Sequence, residues 1–241
     1  GALAKSSGDY AFAIDRFEKC GAVAVKNRRP LRAMCDYNLG LTYACLGDMQ
    51  KSLEQLLKGL ESARLADNPA NLIRNLFDAG SELANQGRGD EALPLLHEAI
   101  ELSQQIDSRK LEGLSRWQMG DAQLSLGQPV EALLSLARSI HQTREGGFFA
   151  AINWIFVKTA QALATNGFVE LAAKFLGKGR ETRVADGRPL GAYEQEPFDK
   201  AADLAKADLG AARYERHYGQ GANAHWDDLI AELDAVVATL E

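Results

Sequence analysis

Residues 38–57, NLGLTYACLGDMQKSLEQLL, decide the fold. Two apolar patterns with helical spacing flank Leu-Gly-Asp at 46–48. Gly47 suits a left-handed cap ending the first helix, and Asp48 suits the N-cap of the second. In that second helix Leu53, Leu56, Leu57 and Leu60 follow the i, i+3, i+4, i+7 spacing of one helical stripe. Gly40 stands inside the first helix, where glycine costs roughly 1 kcal/mol relative to alanine. A glycine in that position calls for a compensating contact, and its recurrence indicates what the contact is.

Working outward, the turn glycine recurs as Gly8, Gly47, Gly87, Gly127 and Gly167, at spacings of 39, 40, 40 and 40 residues. Five residues after each stands a small side chain: Ala13, Ser52, Ala92, Ala132 and Ala172. Nine after stands a large apolar one: Phe17, Leu56, Leu96, Leu136 and Leu176. Twelve after comes a second small residue: Cys20, Gly59, Ala99, Ser139 and Gly179. Seven before the turn lie Gly40, Gly80, Gly120 and Ala160. Small residues in register allow helix axes to approach closely. A lone helix pair cannot bury its apolar face, but stacked pairs can. No segment joins strand-like alternation to a hairpin turn, so the chain is predicted to be all-α. Pro30, Pro69 and Pro129 fit helix starts.

These columns resemble the tetratricopeptide repeat. Its pattern of a helix-A glycine or alanine, a large residue three positions on, and an alanine–large–alanine helix B is matched by Gly40–Tyr43–Ser52–Leu56–Gly59. It recurs as Gly80–Leu83–Ala92–Leu96–Ala99, as Gly120–Gln123–Ala132–Leu136–Ser139, where Gln123 departs from the pattern, and as Ala160–Leu163–Ala172–Leu176–Gly179. The usual period is about 34 residues, so a 40-residue period implies helices longer by about a turn. The resemblance implies a right-handed α-α superhelix of about five helix pairs over 1–185, the first truncated. A loop or linker would follow at 186–197, where Gly187, Pro189, Gly191 and Pro197 punctuate the chain. A helical cap would occupy 198–241.

In such arrays the A helices line the concave face. Counted from the helix-A glycine, position −2 holds Asn38, Asp78, Gln118 and Lys158, and position +1 holds Leu41, Ser81, Asp121 and Gln161. Position +5 holds Cys45, Asn85, Ser125 and Thr165. This face is mostly polar and would be costly in a core, so it is expected to meet solvent or a ligand. At −3 stand Tyr37, Phe77, Trp117 and Val157. Helical periodicity favours them as core between repeats; the alternative is a row of anchors at the groove edge. Trp154, in the bulky stretch 146–156, has the same two readings.

In the tail, Gly219 and Gly221 are expected to end one helix, and Trp226 to begin another with Asp227 and Asp228 in its first turn. Leu209, Gly210, Ala212, Tyr214, Tyr218, Gly221, Asp227, Asp228 and Ile230 resemble the ending of bacterial signal-transduction ATPases with tandem helical repeats. His225 stands where that pattern has a cap hydroxyl, and Tyr218 where it has tryptophan. The resemblance implies a sensor or scaffold arm, its nucleotide-binding and output domains lying upstream. The opening GALAKSSGDY, without Met, leads to the same expectation of a longer parent.

Other features narrow the function. A net charge of −6 over 241 residues makes nucleic acid or an anionic membrane a poor partner. Cys20, Cys35 and Cys45 make no C-x-x-C pair and have no zinc spacing. So sparse a set points to a reducing, cytoplasmic setting and to small buried residues. His97 and His141 lack acidic partners at ligand spacing, and no phosphate loop or nucleophile elbow is present. The sequence therefore predicts a non-enzymatic scaffold without cofactor or metal. Its candidate groove is Tyr37, Asn38, Phe77, Asp78, Ser81, Asn85, Trp117, Gln118, Asp121, Trp154, Lys158 and Gln161. The expected partner is a protein or peptide, including upstream parts of the same chain, and homo-oligomers are a further option. A small-molecule effector bound near Trp117 and Trp154 is the alternative.

Overall fold

The computed structural model describes residues 9–24, 29–147, 152–185 and 192–240. All regular structure among them is helical: α1 Tyr10–Val23, α2 Arg29–Cys45, α3 Met49–Arg64, α4 Pro69–Asn85, α5 Gly89–Gln105, α6 Arg109–Ser125, α7 Pro129–Glu145, α8 Ile152–Thr165, α9 Val169–Ala185, α10 Ala192–Leu209, α11 Ala211–Asn223 and α12 Trp226–Val237. The chain divides into two compact units, Gly1–Leu111 and Glu112–Glu241, with the division inside α6. Each is by itself a stretch of α-solenoid in which helix pairs stack. The expected Gly8 and residues 148–151 of the bulky stretch lie outside the described residues.

The A-to-B turns share one construction. Gly47, Gly87, Gly127 and Gly167 all have left-handed φ, between 71° and 84°. After each, the next amide donates to the carbonyl five residues back: Asp48 to Tyr43, Arg88 to Leu83, Gln128 to Gln123 and Phe168 to Leu163. The glycine amide meanwhile bonds three residues back. This is the Schellman closure, which satisfies carbonyls that a helix end would otherwise leave open. Asp48 then caps α3 through the Lys51 amide, 3.1 Å away. Asn68 caps α4 in the same way, with Pro69 at its first position.

The helix-A glycines are contact points. A Cβ built on Gly40 would stand 2.6 Å from Leu56 Cγ, on Gly80 2.8 Å from Leu96 Cγ, and on Gly120 2.6 Å from Leu136 Cγ. The large apolar residue of helix B thus occupies the space that a methyl group would need, and closer packing offsets the helical cost of the glycine.

In the first unit Leu56, Leu60, Ile73, Leu76, Ala79 and Ala99 form a core between helix pairs, with Tyr37 and Leu41 packed against it. Glu82 is buried in this unit. Burial holds its carboxyl above the usual range, partly opposed by a hydrogen bond from Gln86. The stability linked to this proton is therefore complete below the pKa of an unfolded glutamate and is lost as pH rises through the higher folded value. Glu82→Gln should gain stability over the parent as pH is raised from acid to neutral, read as a widening gap in urea midpoints. Parallel pH curves for the two proteins would refute this.

In the second unit one core joins Leu133, Leu136, Ile140, Phe156, Leu163 and Phe175 to Tyr214, Leu229 and Leu233 of the C-terminal helices. The tail therefore shares the core of the last repeats. Within the stretch expected as linker, α10 already begins at Ala192 and runs through Pro197; the proline gives up a single helical hydrogen bond there. Gly219 and Gly221 likewise lie inside α11 and do not end it. At Gly221 the α11 backbone passes directly against Lys174 of α9, and at Gly177 the α9 backbone passes against Tyr218. This crossing requires two residues without side chains.

Candidate functional site

In the first unit, two members of the face read from the sequence meet between helices. The Tyr37 hydroxyl on α2 donates to the Asp78 carboxylate on α4, and the phenol is raised by burial first and by Asp78 second. Asn38 turns back to the Met34 carbonyl of its own helix, 2.8 Å away. Phe77 and Ser81 are half-buried, and Asn85 is exposed.

The second unit brings together more of the face. On α6, Trp117 and Asp121 are one turn apart, and on α8 so are Trp154 and Lys158. The two indoles meet at 6.2 Å with a 41° tilt. One turn on, Lys158 Nζ lies 2.5 Å from Asp121 Oδ1, with the two side chains 14% and 13% exposed. The two rungs lie side by side because a helix repeats its face every three to four residues. The Trp117 indole N–H is covered and makes no hydrogen bond. Gln161 is half-buried, whereas Gln118 is only 6% exposed. Val157, the fourth member of the aromatic column, belongs to the core.

Exposure is graded across this face. The +5 residues Cys45, Asn85, Ser125 and Thr165 are all exposed, the +1 residues are all half-buried, and the −3 residues run from half-buried to buried.

Sequence reasoning missed several members. The Arg183 guanidinium on α9 stands 5.3 Å from the Trp154 ring centre and is largely buried. A helix-B arginine carries no periodic signal, so nothing in the sequence singled it out. His141, read as lacking an acidic partner, meets Asp234 of α12 at 2.8 Å, a pairing 93 residues apart. Also unforeseen is a cleft of about 570 Å³ among α9–α12, lined by Phe168, Glu170, Lys174, Leu209, Arg213 and Glu232, among others. Arg213 reaches Glu170 at 2.7 Å and Lys174 reaches Glu232 at 2.7 Å. Arg213 and the neighbouring His217 hold the Glu170 carboxyl below its usual range. This cleft lies away from Trp117 and Trp154, beside which a small-molecule pocket was expected.

Among the described residues, no group of three or more His, Cys, Asp or Glu is placed to hold a metal ion. None of the helices described is long and apolar enough to cross a membrane.

No family model matches the chain. No curated protein matches it either. Solved structures do. A Rap protein complexed with competence and sporulation factor aligns over 100% of this chain and 74% of its own, with TM-score 0.62 and 16% identity. Aspartyl phosphate phosphatase F from Bacillus subtilis aligns over 96% of this chain and 68% of its own, at 0.63 and 14%. A Podosopora anserina putative kinesin light chain with nearly identical TPR-like repeats aligns over 88% and 98%, at 0.60 and 15%. Identities this low carry the fold and nothing finer, and with the 40-residue columns and their glycine contacts they make this chain a TPR-like helical array.

Proposed function

We propose that the chain is a non-enzymatic scaffold that binds a peptide segment of a partner protein, and that the second unit presents the main contact on α6 and α8. The Trp117–Trp154 pair beside the Asp121–Lys158 ion pair carries this reading. Half-buried aromatics supply contact area with little entropy to lose, which is why they dominate interface hot spots. A charged pair on the same face can exchange partners with the polar groups of an incoming backbone. The Tyr37–Asp78 bond gives the first unit a smaller version of the same device. The Rap structure bound to competence and sporulation factor is consistent with a peptide or protein ligand on a similar fold. The wider reading is that the chain serves as the sensor or scaffold arm of a larger bacterial regulator.

The test is selection from a phage-displayed random-peptide library on the full chain, followed by titration of the selected peptides. Trp154→Ala and Lys158→Met should each weaken binding by about tenfold or more, with helical content unchanged by circular dichroism. Equal binding by parent and both variants sinks the reading.

The cleft of about 570 Å³ favours a second reading, an effector-sensing domain, because its size suits a small ligand. Thermal-shift screening of metabolites separates the two. A stabiliser whose effect is lost in Arg213→Ala and kept in Trp154→Ala would place an effector in the cleft.

A further inference from the structure

We propose that Cys20 and Cys35 are a modification site: a dithiol pair that closes into a reversible disulfide, stapling α1 to α2. The two are free thiols whose sulfurs stand 2.6 Å apart on adjacent helices. That is closer than two unbonded sulfurs rest, and a short step from an S–S bond of roughly 2.0 Å.

The backbone around them is held by other contacts. Arg32 on α2 donates to the Gly21 carbonyl on α1 at 3.0 Å and is itself anchored by Asp36 at 2.7 Å. A Cβ on Gly21 would lie 3.8 Å from the Cys35 Cβ, so the helices cross closely at this point. The two helices are thus held together at the level where the sulfurs meet. Cys45 is exposed. It lies ten residues beyond Cys35 on α2, roughly 15 Å along the helix, and is out of reach of the pair.

The oxidant required is a small organic disulfide such as oxidised glutathione. Cys20 is half-buried and Cys35 is buried, so Cys20 is the point of entry. The Cys20 thiolate attacks one glutathione sulfur, breaking that disulfide and releasing a glutathione thiolate. Cys35 then loses its proton to water and attacks the Cys20 sulfur, breaking the mixed disulfide and releasing the second glutathione as a thiolate; the two released thiolates take up the two protons that Cys20 and Cys35 gave up. Two protein thiols are oxidised by two electrons, and one glutathione disulfide becomes two thiols. Burial pushes the Cys35 thiol up to about 12, so it stays protonated toward oxidised glutathione in solution and reacts only once the mixed disulfide on Cys20 stands beside it. Closure fixes the start of α2, the helix that carries Tyr37 and Asn38.

The test uses the full chain with Cys45→Ser, treated while folded with oxidised glutathione. The product should be lighter by two hydrogens and free of glutathione. Trypsin cuts after Lys26 and Arg32, so the two cysteines should appear in one cross-linked peptide. The melting temperature should rise, and dithiothreitol should reverse both changes. Adding Cys35→Ser should instead leave glutathione on Cys20, and adding Cys20→Ser should leave the folded chain unreacted. A folded Cys45→Ser chain that stays reduced, or that keeps glutathione on Cys20, overturns the proposal. So does a disulfide that lowers the melting temperature, since the helices would then have had to move.

Discussion

Gly221→Ala should destabilise the second unit by roughly 3 kcal/mol, while Gly219→Ala, two residues earlier on the same helix, should stabilise it by about 0.5 kcal/mol or more. The opposite signs follow from what each new methyl would meet. At Gly221 it would run into the Lys174 backbone of α9, carbonyl and Cα together. A side chain could rotate away, but a helical backbone cannot, so α9 and α11 would have to separate along the crossing. Gly177 places the reciprocal demand on the Tyr218 backbone. At Gly219 nothing lies within 4 Å, and alanine there only removes the entropic penalty of a helical glycine. Urea unfolding followed by circular dichroism reads both effects. Equal midpoints for Gly221→Ala and its parent would mean that the crossing is not as close as described.

Phe156→Ala should cost about 3–5 kcal/mol. The ring is fully buried and lies 4.9 Å from Phe175 of α9, at a T-shaped 60°. It also lies 4.9 Å from Trp226 of α12, tilted at 41°. Truncation would thus remove buried area and two favourable aromatic contacts, and would leave a cavity with walls from three helices. For a chain of this size the loss corresponds to a fall in melting temperature of roughly 10 °C. The emission of Trp226 should shift as its neighbour is lost. A loss below about 1 kcal/mol would show that the walls collapse to fill the space, contrary to the cost expected of a close-packed interior.

The difference between Gly40 and Gly221 shows what was legible in the sequence. Gly40, Gly80 and Gly120 occur in register, and repetition turns an unfavourable residue into a signal of contact. Gly221 occurs once, and its counterpart Gly177 is 44 positions away in a different helix. Two glycines so close together, Gly219 and Gly221, read as a helix stop, because local propensity has no knowledge of a neighbouring backbone. The same reasoning covers the face. Trp117, Asp121 and Lys158 could be named as candidates from helical spacing because each sits in a periodic column, and Trp154 from the bulk of its stretch; their pairing could not. Arg183 over Trp154 depends on a helix-B side chain that belongs to no column, and His141 with Asp234 and the cleft at Glu170 and Lys174 depend on side chains reaching between the repeats and the tail. The Cys20–Cys35 contact was hidden for another reason. A spacing of 15 residues matches no cysteine motif, and only the packing of α1 on α2 brings the sulfurs together.

The outermost column, Cys45, Asn85, Ser125 and Thr165, has a further consequence. These residues are exposed, one per helix pair, and none is a member of the glycine crossings or of the aromatic cores. Exposed positions of this kind usually change stability by less than about 0.5 kcal/mol. The chain therefore keeps the residues that hold it together apart from a set that is free to drift. Substitutions at these four positions, each on its own repeat, should leave folding untouched.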